Sequence, residues 1–223
     1  MSQKFTILFD LDGTLVHTAP DLMRAHNYVM KKYGYDERKL SDIKKLAGRG
    51  SKTMLTKSID ELGKIKKTAD QIEKMTKEFV DYYSKNIVKE STLKRGALEF
   101  LSWCKKKSIS MAICTNKQEH LSIDLLKKIK IYDFFEYVAG GNTFNHNKPD
   151  PKHLTDTIEI IGGNIKNTLM IGDSETDSNA SKSANIPFVL IKDGYTEKKS
   201  NEIYHDHLVN DFVGLEKIVE KYL

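Results

Sequence analysis

The sequence predicts an α/β protein in which a parallel β-sheet is covered by helices on both faces. Short apolar runs rich in β-branched and large residues recur at 5–9, 109–114, 168–171 and 186–191. Segments with helical spacing separate the later runs, and this alternation is typical of repeated βαβ units. Residues 16–90, which follow the first run, show helical segments and no convincing strand. We therefore expect one sheet with an all-helical insert after its first strand.

The later apolar runs alternate with helices of ordinary length. Their hydrophobic spacing predicts helices over 96–106, 118–129, 151–161 and 176–184. Pro151 fits the first turn of the third of these helices, where a missing backbone N–H costs no hydrogen bond.

The sequence of the insert predicts three or four helices, over 20–33, 41–47, 51–62 and 69–88. Thr18 is a candidate cap for the first helix, with Pro20 and Asp21 in its opening turn. Thr68 and Gln71 have the spacing of a capping box at the start of the last helix. We expect residues 1–15 and 91–223 to form the α/β core, and residues 16–90 to form a separate helical cap.

Composition excludes several classes of protein. No apolar run approaches the roughly 18 residues that span a bilayer, and the N-terminus lacks the features of a secretory signal. Cys104 and Cys114 have no metal-ligand spacing, so we expect two reduced core thiols in a cytoplasmic protein. The net charge is +5, but only four of the 36 basic residues are arginine, and the lysine pairs and triplets have the pattern of solvated helix faces. This pattern argues against nucleic-acid binding and favours small anionic partners.

Polar side chains follow the predicted strands at the edge where ligands bind in parallel sheets. The first run ends in Asp10 and Asp12, and a turn follows at once through Gly13. The groups that the later elements bring to the same edge are Thr115, Asn116, Lys148, Asp173 and Asp177. A buried carboxylate is costly unless it is paired or coordinated, so this set indicates a cation and a reaction.

This set suits phosphoryl transfer with Mg²⁺. Clustered carboxylates favour Mg²⁺, while a hydroxyl, an amide and a lysine can hold phosphate oxygens and offset their charge. One aspartate can attack phosphorus, and a second can exchange protons with the leaving alcohol and with water. Each motif alone is more often a turn or a helix cap, but four motifs in order at strand ends favour the functional interpretation.

The segments FDLDGTL, CTNK, NKPDP and GDSETD resemble the four motifs of the haloacid dehalogenase-like superfamily, in its phosphatase branch. The resemblance runs from residue 5 to about residue 195. It implies a modified Rossmann-like core and a small α-helical cap placed after the first strand.

The resemblance also implies roles for individual residues. Asp10 would be the nucleophile and a Mg²⁺ ligand, and Asp12 the general acid and base with its backbone carbonyl on the metal. Asp173 would be a further Mg²⁺ ligand, supported by Asp177. The residues that would bind the phosphoryl group or balance its charge are Thr14, Thr115, Asn116 and Lys148.

Weaker similarities point to the phosphoglycolate phosphatase subgroup. They are LVHTAPDL at the start of the insert, KDGYTEK after the run 186–191, and the loop Ala47–Gly50, where Arg49 could meet a carboxylate or second anion of the substrate. His17 departs from the aspartate that is usual at its position, and a structural role is the favoured interpretation for it.

The alternatives left open are a β-phosphoglucomutase-like sugar phosphomutase, a nucleotide or pyrophosphate hydrolase, and a non-catalytic phosphate-sensing protein. We expect a small phosphorylated metabolite as the partner, with no nucleic acid and no membrane. The sequence leaves the oligomeric state open.

Overall fold

The computed structural model describes residues 4–48, 50–62 and 67–223. In chain order, its strands are β1 (Thr6–Phe9), β2 (Val16–His17), β3 (Thr92–Leu93), β4 (Ser110–Cys114), β5 (Tyr137–Ala139), β6 (Thr168–Gly172), β7 (Phe188–Ile191) and β8 (His207–Val209). Six of them form one sheet in the order β5-β4-β1-β6-β7-β8, and all neighbouring pairs are parallel. The predicted parallel sheet is confirmed, and β1 lies at its centre.

The helices within the described residues are α1 (Ala19–Lys32), α2 (Ile43–Leu46), α3 (Ser51–Leu62), α4 (Ala69–Lys85), α5 (Ala97–Lys106), α6 (Glu119–Lys128), α7 (Lys152–Ile160), α8 (Glu175–Ser183) and α9 (Glu216–Val219). The four helices predicted between the strands are confirmed as α5 to α8. The first four helices lie between β2 and β3, as expected for a helical insert.

Successive side chains of β1 lie on opposite faces of the sheet. Ile7 and Phe9 pack in one apolar cluster with residues of α5 and α6, whereas Leu8 packs in another with residues of α7 and α8. The ring of Phe9 meets that of Phe100 at 6.2 Å between centroids. Because helices cover both faces, the C-terminal edge of the strands is where polar groups can reach solvent.

The helical insert has its own packing. Helices α1 and α3 both pack on α4. The capping box predicted at the start of α4 is confirmed, because the Gln71 backbone N–H donates to Thr68 Oγ1 at 3.3 Å and the Thr68 N–H donates to Gln71 Oε1 at 3.0 Å.

Two predictions about the start of the insert are wrong. Val16 and His17 form a two-residue antiparallel ribbon with β3, which is too short to leave a period in the sequence. Thr18 stands at the N-cap of α1, but its side chain makes no capping hydrogen bond. The backbone of Thr18 is helical, at φ −96° and ψ −5°. A capping residue usually has an extended backbone, from which its side chain reaches an N–H of the first helical turn.

Other boundaries differ by a few residues. The helix predicted over 41–47 is a 3₁₀ turn at Leu40–Asp42 followed by α2, and α4 ends at Lys85 rather than at residue 88. Strands β5 and β8, of three residues each, were not predicted. Both cysteines are buried and free, as predicted. Among the described residues, no helix has the length and hydropathy needed to cross a bilayer.

Candidate active site

Asp10 begins the site at the end of the central strand. It is buried, and its backbone N–H donates to the Ile171 carbonyl at 2.9 Å, so the pairing of β1 with β6 holds it in place. Gly13 then turns the chain with φ +87°, in the left-handed region that favours glycine. A Cβ on Gly13 would lie 2.1 Å from Asp173 Oδ2. The glycine therefore lets the turn approach the carboxylate of the neighbouring strand.

Three buried carboxylates converge beside Asp10. Asp10, Asp173 and Asp177 each offer an oxygen, and these atoms lie within 4.8 Å of one another. Burial raises the pKa of Asp10 to about 6 and raises the pKa of Asp173 well above its usual value. A hard, oxygen-liganded cation would relieve this crowding of negative charge, so the donor set fits the predicted Mg²⁺.

Lys148 is the cation that the chain itself supplies to this cluster. Its ammonium Nζ lies 2.8 Å from Asp10 Oδ1 and 2.6 Å from Asp177 Oδ1. Burial alone would lower the pKa of Lys148, but the carboxylates of Asp10 and Asp177 outweigh it and raise that pKa. The backbone of Lys148 is fixed as well, since its N–H donates to His153 Nδ1 at 3.2 Å.

Asp177 has two functions in the structure. Its Oδ2 accepts hydrogen bonds from the Ser174 hydroxyl at 2.7 Å and the Ser174 N–H at 3.1 Å, which is a capping box at the start of α8. Its Oδ1 contacts Lys148. The structural interpretation of this residue as a helix cap is therefore compatible with its place in the acidic cluster.

The residues predicted to bind the phosphoryl group lie around the cluster, in different settings. The Thr14 hydroxyl is fully buried and lies 3.4 Å from Asp10 Oδ2 and 3.3 Å from Asp173 Oδ1. Thr115 and Asn116 follow β4 and line the cavity above Asp10. The Asn116 side chain donates to the Lys148 carbonyl at 2.8 Å and to the Gly48 carbonyl of the insert at 3.0 Å.

Asp12 faces the same cavity and has a partner that the sequence did not predict. Lys117 Nζ lies 3.1 Å from Asp12 Oδ1 and 3.0 Å from Asp12 Oδ2. The same ammonium donates to the Tyr83 hydroxyl of α4 at 2.9 Å. Lys117 lies within the CTNK segment, so its place after a strand was visible, but its pairing was not.

A cavity of about 320 Å³ lies between the acidic cluster and the insert. Its walls on the insert side combine apolar side chains, such as Leu22, Met54 and Phe79, with the charged side chains of Lys52 and Glu73. Arg49, predicted as a cap contact to the substrate, lies outside the described residues. The other predicted site residues that line the cavity are Asp10, Asp12, Thr115, Asn116, Lys148, Asp173 and Asp177.

His17 lies at the junction between the core and the insert and does not itself line the cavity, although its neighbour Tyr195 does. Its Nδ1 is 3.2 Å from the Tyr195 hydroxyl, and burial lowers its pKa. The Tyr195 hydroxyl also accepts from the Ala19 N–H at 2.8 Å, while the Tyr195 N–H donates to Asp173 Oδ2 at 2.7 Å. This arrangement supports the structural role favoured for His17.

Comparison with known proteins identifies the family. The model of the haloacid dehalogenase-like hydrolase family matches residues 7–191. The chain belongs to this family. The phosphoglycolate phosphatase of Caulobacter vibrioides is 34% identical over 212 residues, which is 95% of this chain and 89% of that protein. The phosphoglycolate phosphatase of Mesorhizobium japonicum is 34% identical over 209 residues, 94% of this chain and 92% of that protein.

Solved structures agree with this membership. A predicted phosphoglycolate phosphatase from Haemophilus somnus superposes with a TM-score of 0.92 at 27% identity, covering 98% of this chain and 99% of the other. A β-phosphoglucomutase from Clostridium difficile superposes with a TM-score of 0.82 at 22% identity, covering 98% of this chain and 97% of the other, which shows the shared fold alone. The membership predicted from the four motifs is confirmed, and the chain is a hydrolase whose curated relatives are phosphoric monoester hydrolases by name.

Proposed function

We propose that this hydrolase cleaves a small phosphomonoester, with 2-phosphoglycolate as its substrate, through an aspartyl-phosphate on Asp10. The observation that carries the proposal is the position of Asp10, which is buried at the end of β1, paired with Lys148 and open to a cavity. The choice of phosphoglycolate is supported by the names of the curated relatives. A cavity of about 320 Å³ also suits a substrate of few atoms.

In the first step, an oxygen of Asp10 forms a bond to phosphorus as the bond from phosphorus to the leaving oxygen breaks. Asp12 gives its proton to that oxygen, so the product leaves as an alcohol. In the second step, water attacks phosphorus, Asp12 takes a proton from that water, and the bond to Asp10 breaks to release phosphate. Splitting the displacement into two steps is the advantage of a nucleophilic carboxylate.

The remaining groups hold the substrate and balance its charge. Lys148 offsets negative charge between the nucleophile and the phosphoryl group, and Thr115 with the backbone at Asn116 binds phosphoryl oxygens. Asp10, Asp173 and the Asp12 carbonyl would hold Mg²⁺, with Asp177 in support. The bound ion would neutralise charge that develops on the phosphoryl oxygens.

The helical insert, formed by residues 16–90, is the roof of the cavity and would act as a cap over the site. Its apolar side chains would help to keep bulk water from Asp10, which would strengthen the charge interactions beneath them. We propose that the loop Ala47–Gly50 reaches the carboxylate end of the substrate and that Arg49 contacts it.

The proposal is tested by phosphate release from a panel of esters, with Mg²⁺ and with EDTA. The panel contains 2-phosphoglycolate, sugar phosphates, nucleotides and pyrophosphate. We expect Mg²⁺-dependent turnover with a preference for phosphoglycolate, which Asp10→Asn abolishes because an amide is a poor nucleophile. Glu159→Gln, on the exposed side of α7, is the matched control. Turnover that survives in Asp10→Asn would contradict the assignment of the nucleophile. Preference for a sugar phosphate that is isomerised without phosphate release would favour a mutase.

A further inference from the structure

The ammonium group of Lys117 is fully hydrogen-bonded within the site. The steps proposed above give this residue no role. An ammonium group has three N–H donors and no acceptor. In the structure, the three acceptors around Lys117 Nζ are the two carboxylate oxygens of Asp12 and the Tyr83 hydroxyl. Its side chain is 4% exposed. All of its hydrogen-bonding capacity is therefore used, at a buried position where an unpaired charge would be costly.

The partners of Lys117 come from three parts of the chain. Asp12 belongs to the turn after β1, Lys117 to the segment after β4, and Tyr83 to α4 of the insert. Tyr83 is fully buried, and Lys117 Nζ lies 4.3 Å from the centre of its ring. The packing of α4 therefore fixes the hydroxyl that orients the ammonium, and the ammonium in turn orients the carboxylate.

Asp12 depends on this contact for its position. Among the residues that the structure describes, Lys117 is the one side chain within hydrogen-bonding distance of the Asp12 carboxylate. Asp12 is half-buried and faces the cavity, so without Lys117 its side chain could turn towards solvent. A proton donor must lie within hydrogen-bond reach of the leaving oxygen, and small displacements are costly to the rate.

We propose that Lys117 is a positioning residue for Asp12, and that Tyr83 ties this position to the helical insert. The inference rests on the proposed function, because it concerns the proton transfer that Asp12 performs. It makes the acid and base of the core depend on a hydroxyl of the insert. Lys117 acts through Asp12 and need not touch the substrate.

The test compares leaving groups in the full-length protein with Mg²⁺. The measured quantity is kcat/KM, which reports the steps up to formation of the aspartyl-phosphate and loss of the first product. An alkoxide needs a proton as it leaves, whereas p-nitrophenolate does not. The three esters are 2-phosphoglycolate, ethyl phosphate, which lacks the carboxylate, and p-nitrophenyl phosphate. The variants are Lys117→Met, Lys117→Arg and Tyr83→Phe, with Lys128→Met as the control that removes an exposed lysine paired with Asp124.

We expect Lys117→Met to lower kcat/KM about tenfold or more on both alkyl esters, as part of the 10²–10⁴-fold effect of general acid catalysis. The loss on p-nitrophenyl phosphate should stay below about threefold, since that ester bypasses the acid. Tyr83→Phe should show the same selectivity at smaller size, and Lys117→Arg should restore part of the loss. Tyr83→Phe keeps the buried ring and provides the test if Lys117→Met does not fold.

Two results would overturn the inference while leaving the proposed function intact. An equal loss on all three esters would mean that Lys117 only supports the fold. A loss confined to 2-phosphoglycolate, with ethyl phosphate unaffected, would mean that Lys117 binds the substrate carboxylate. If the wild-type protein released phosphate from none of the esters, the proposed function would fall, and the role of Lys117 in proton transfer with it.

Discussion

Asp21→Asn should destabilise the protein strongly, although Asp21 lies outside the catalytic groups. Asp21 is in the first turn of α1, and its side chain is fully buried. Its Oδ2 accepts from the Ser91 hydroxyl at 2.6 Å and from the Ser91 N–H at 2.8 Å, and further bonds come from the backbone of Lys89 and Glu90. Arg24 Nη1 lies 2.5 Å from Asp21 Oδ1. One carboxylate thus joins the start of the insert to the segment that leaves it.

The magnitude follows from the number and type of these bonds. Hydrogen bonds to a charged group contribute about 1.5–3 kcal/mol each, and breaking a buried pair by removing one partner costs about 3–5 kcal/mol. Asparagine keeps one acceptor oxygen and turns an amide N–H₂ towards backbone donors. We therefore expect a loss of about 3–5 kcal/mol in the free energy of unfolding. For a chain of this size that corresponds to a fall in Tm of about 6–20 °C.

The assay is urea unfolding followed by far-UV circular dichroism and by the fluorescence of Trp103, the single tryptophan. Asp81→Asn, on the exposed side of α4, is the matched control and should lie within about 0.5 kcal/mol of the wild type. A similarly small change in Asp21→Asn would refute the reasoning, because it would mean that the five donors to this carboxylate contribute nothing.

The pH dependence provides an independent check on Asp21. Burial alone would raise the pKa of Asp21, but its hydrogen bonds to Ser91, Glu90 and Arg24 outweigh burial and lower that pKa. A lowered pKa in the folded state means that the unfolded chain binds the proton first as pH falls. The stabilisation by Asp21 is therefore complete above the unfolded pKa of about 3.9 and is lost as pH falls through the folded value. The difference between wild type and Asp21→Asn should be constant from pH 6 to 8 and shrink below about pH 4.

Three further predictions concern the site and the thiols. Lys148→Met should lower kcat/KM by about 10²–10³-fold, measured by phosphate release, because Lys148 offsets the charge of Asp10; unchanged activity would contradict that role. Gly13→Ala should cost about 1–3 kcal/mol in thermal unfolding, since its φ is +87° and its Cβ would meet Asp173, and an unchanged Tm would contradict this. Burial raises the pKa of Cys104 and Cys114 to about 12, so Ellman's reagent should label both only after unfolding in guanidinium, and rapid labelling of the native protein would contradict this.

Much of the site could be predicted, because a parallel sheet brings residues that are far apart along the chain to one edge. Parallel strands deliver their following residues to one edge, so Asp10 and Asp173 meet across β1 and β6 despite their distance along the chain. Lys148 could be placed in the same way, because it precedes a helix that returns to the sheet. The four motifs therefore carried both the fold and the main groups of the site.

The pairings that cross from the core to the insert could not be predicted. Lys117 and Tyr83 are 34 residues apart, and Asp21 and Ser91 are 70 apart. Neither pair leaves a period or a local spacing in the sequence, and Asp21 looked like an ordinary residue of a first helical turn. Such contacts depend on how the core and the insert pack against each other. The side-chain pattern within either part does not encode that packing. The short ribbon of β2 and β3 could not be predicted for the same reason.

The polar contacts between core and insert differ in strength from one side of the cavity to the other. Near the junction, buried groups make them: Asp21 with Ser91, Tyr195 with Ala19, and Lys117 with Tyr83. Beside α3, the described contacts are exposed, and they include an ion pair between Lys57 and Glu197 at 3.3 Å and the hydrogen bond from Asn116 to the Gly48 carbonyl at 3.0 Å. Exposed ion pairs contribute about 0–1 kcal/mol, whereas buried charged hydrogen bonds contribute more. Among the described residues, the polar contacts at the junction are therefore the stronger ones, so we expect that separating the insert from the core costs less beside α3 than at the junction.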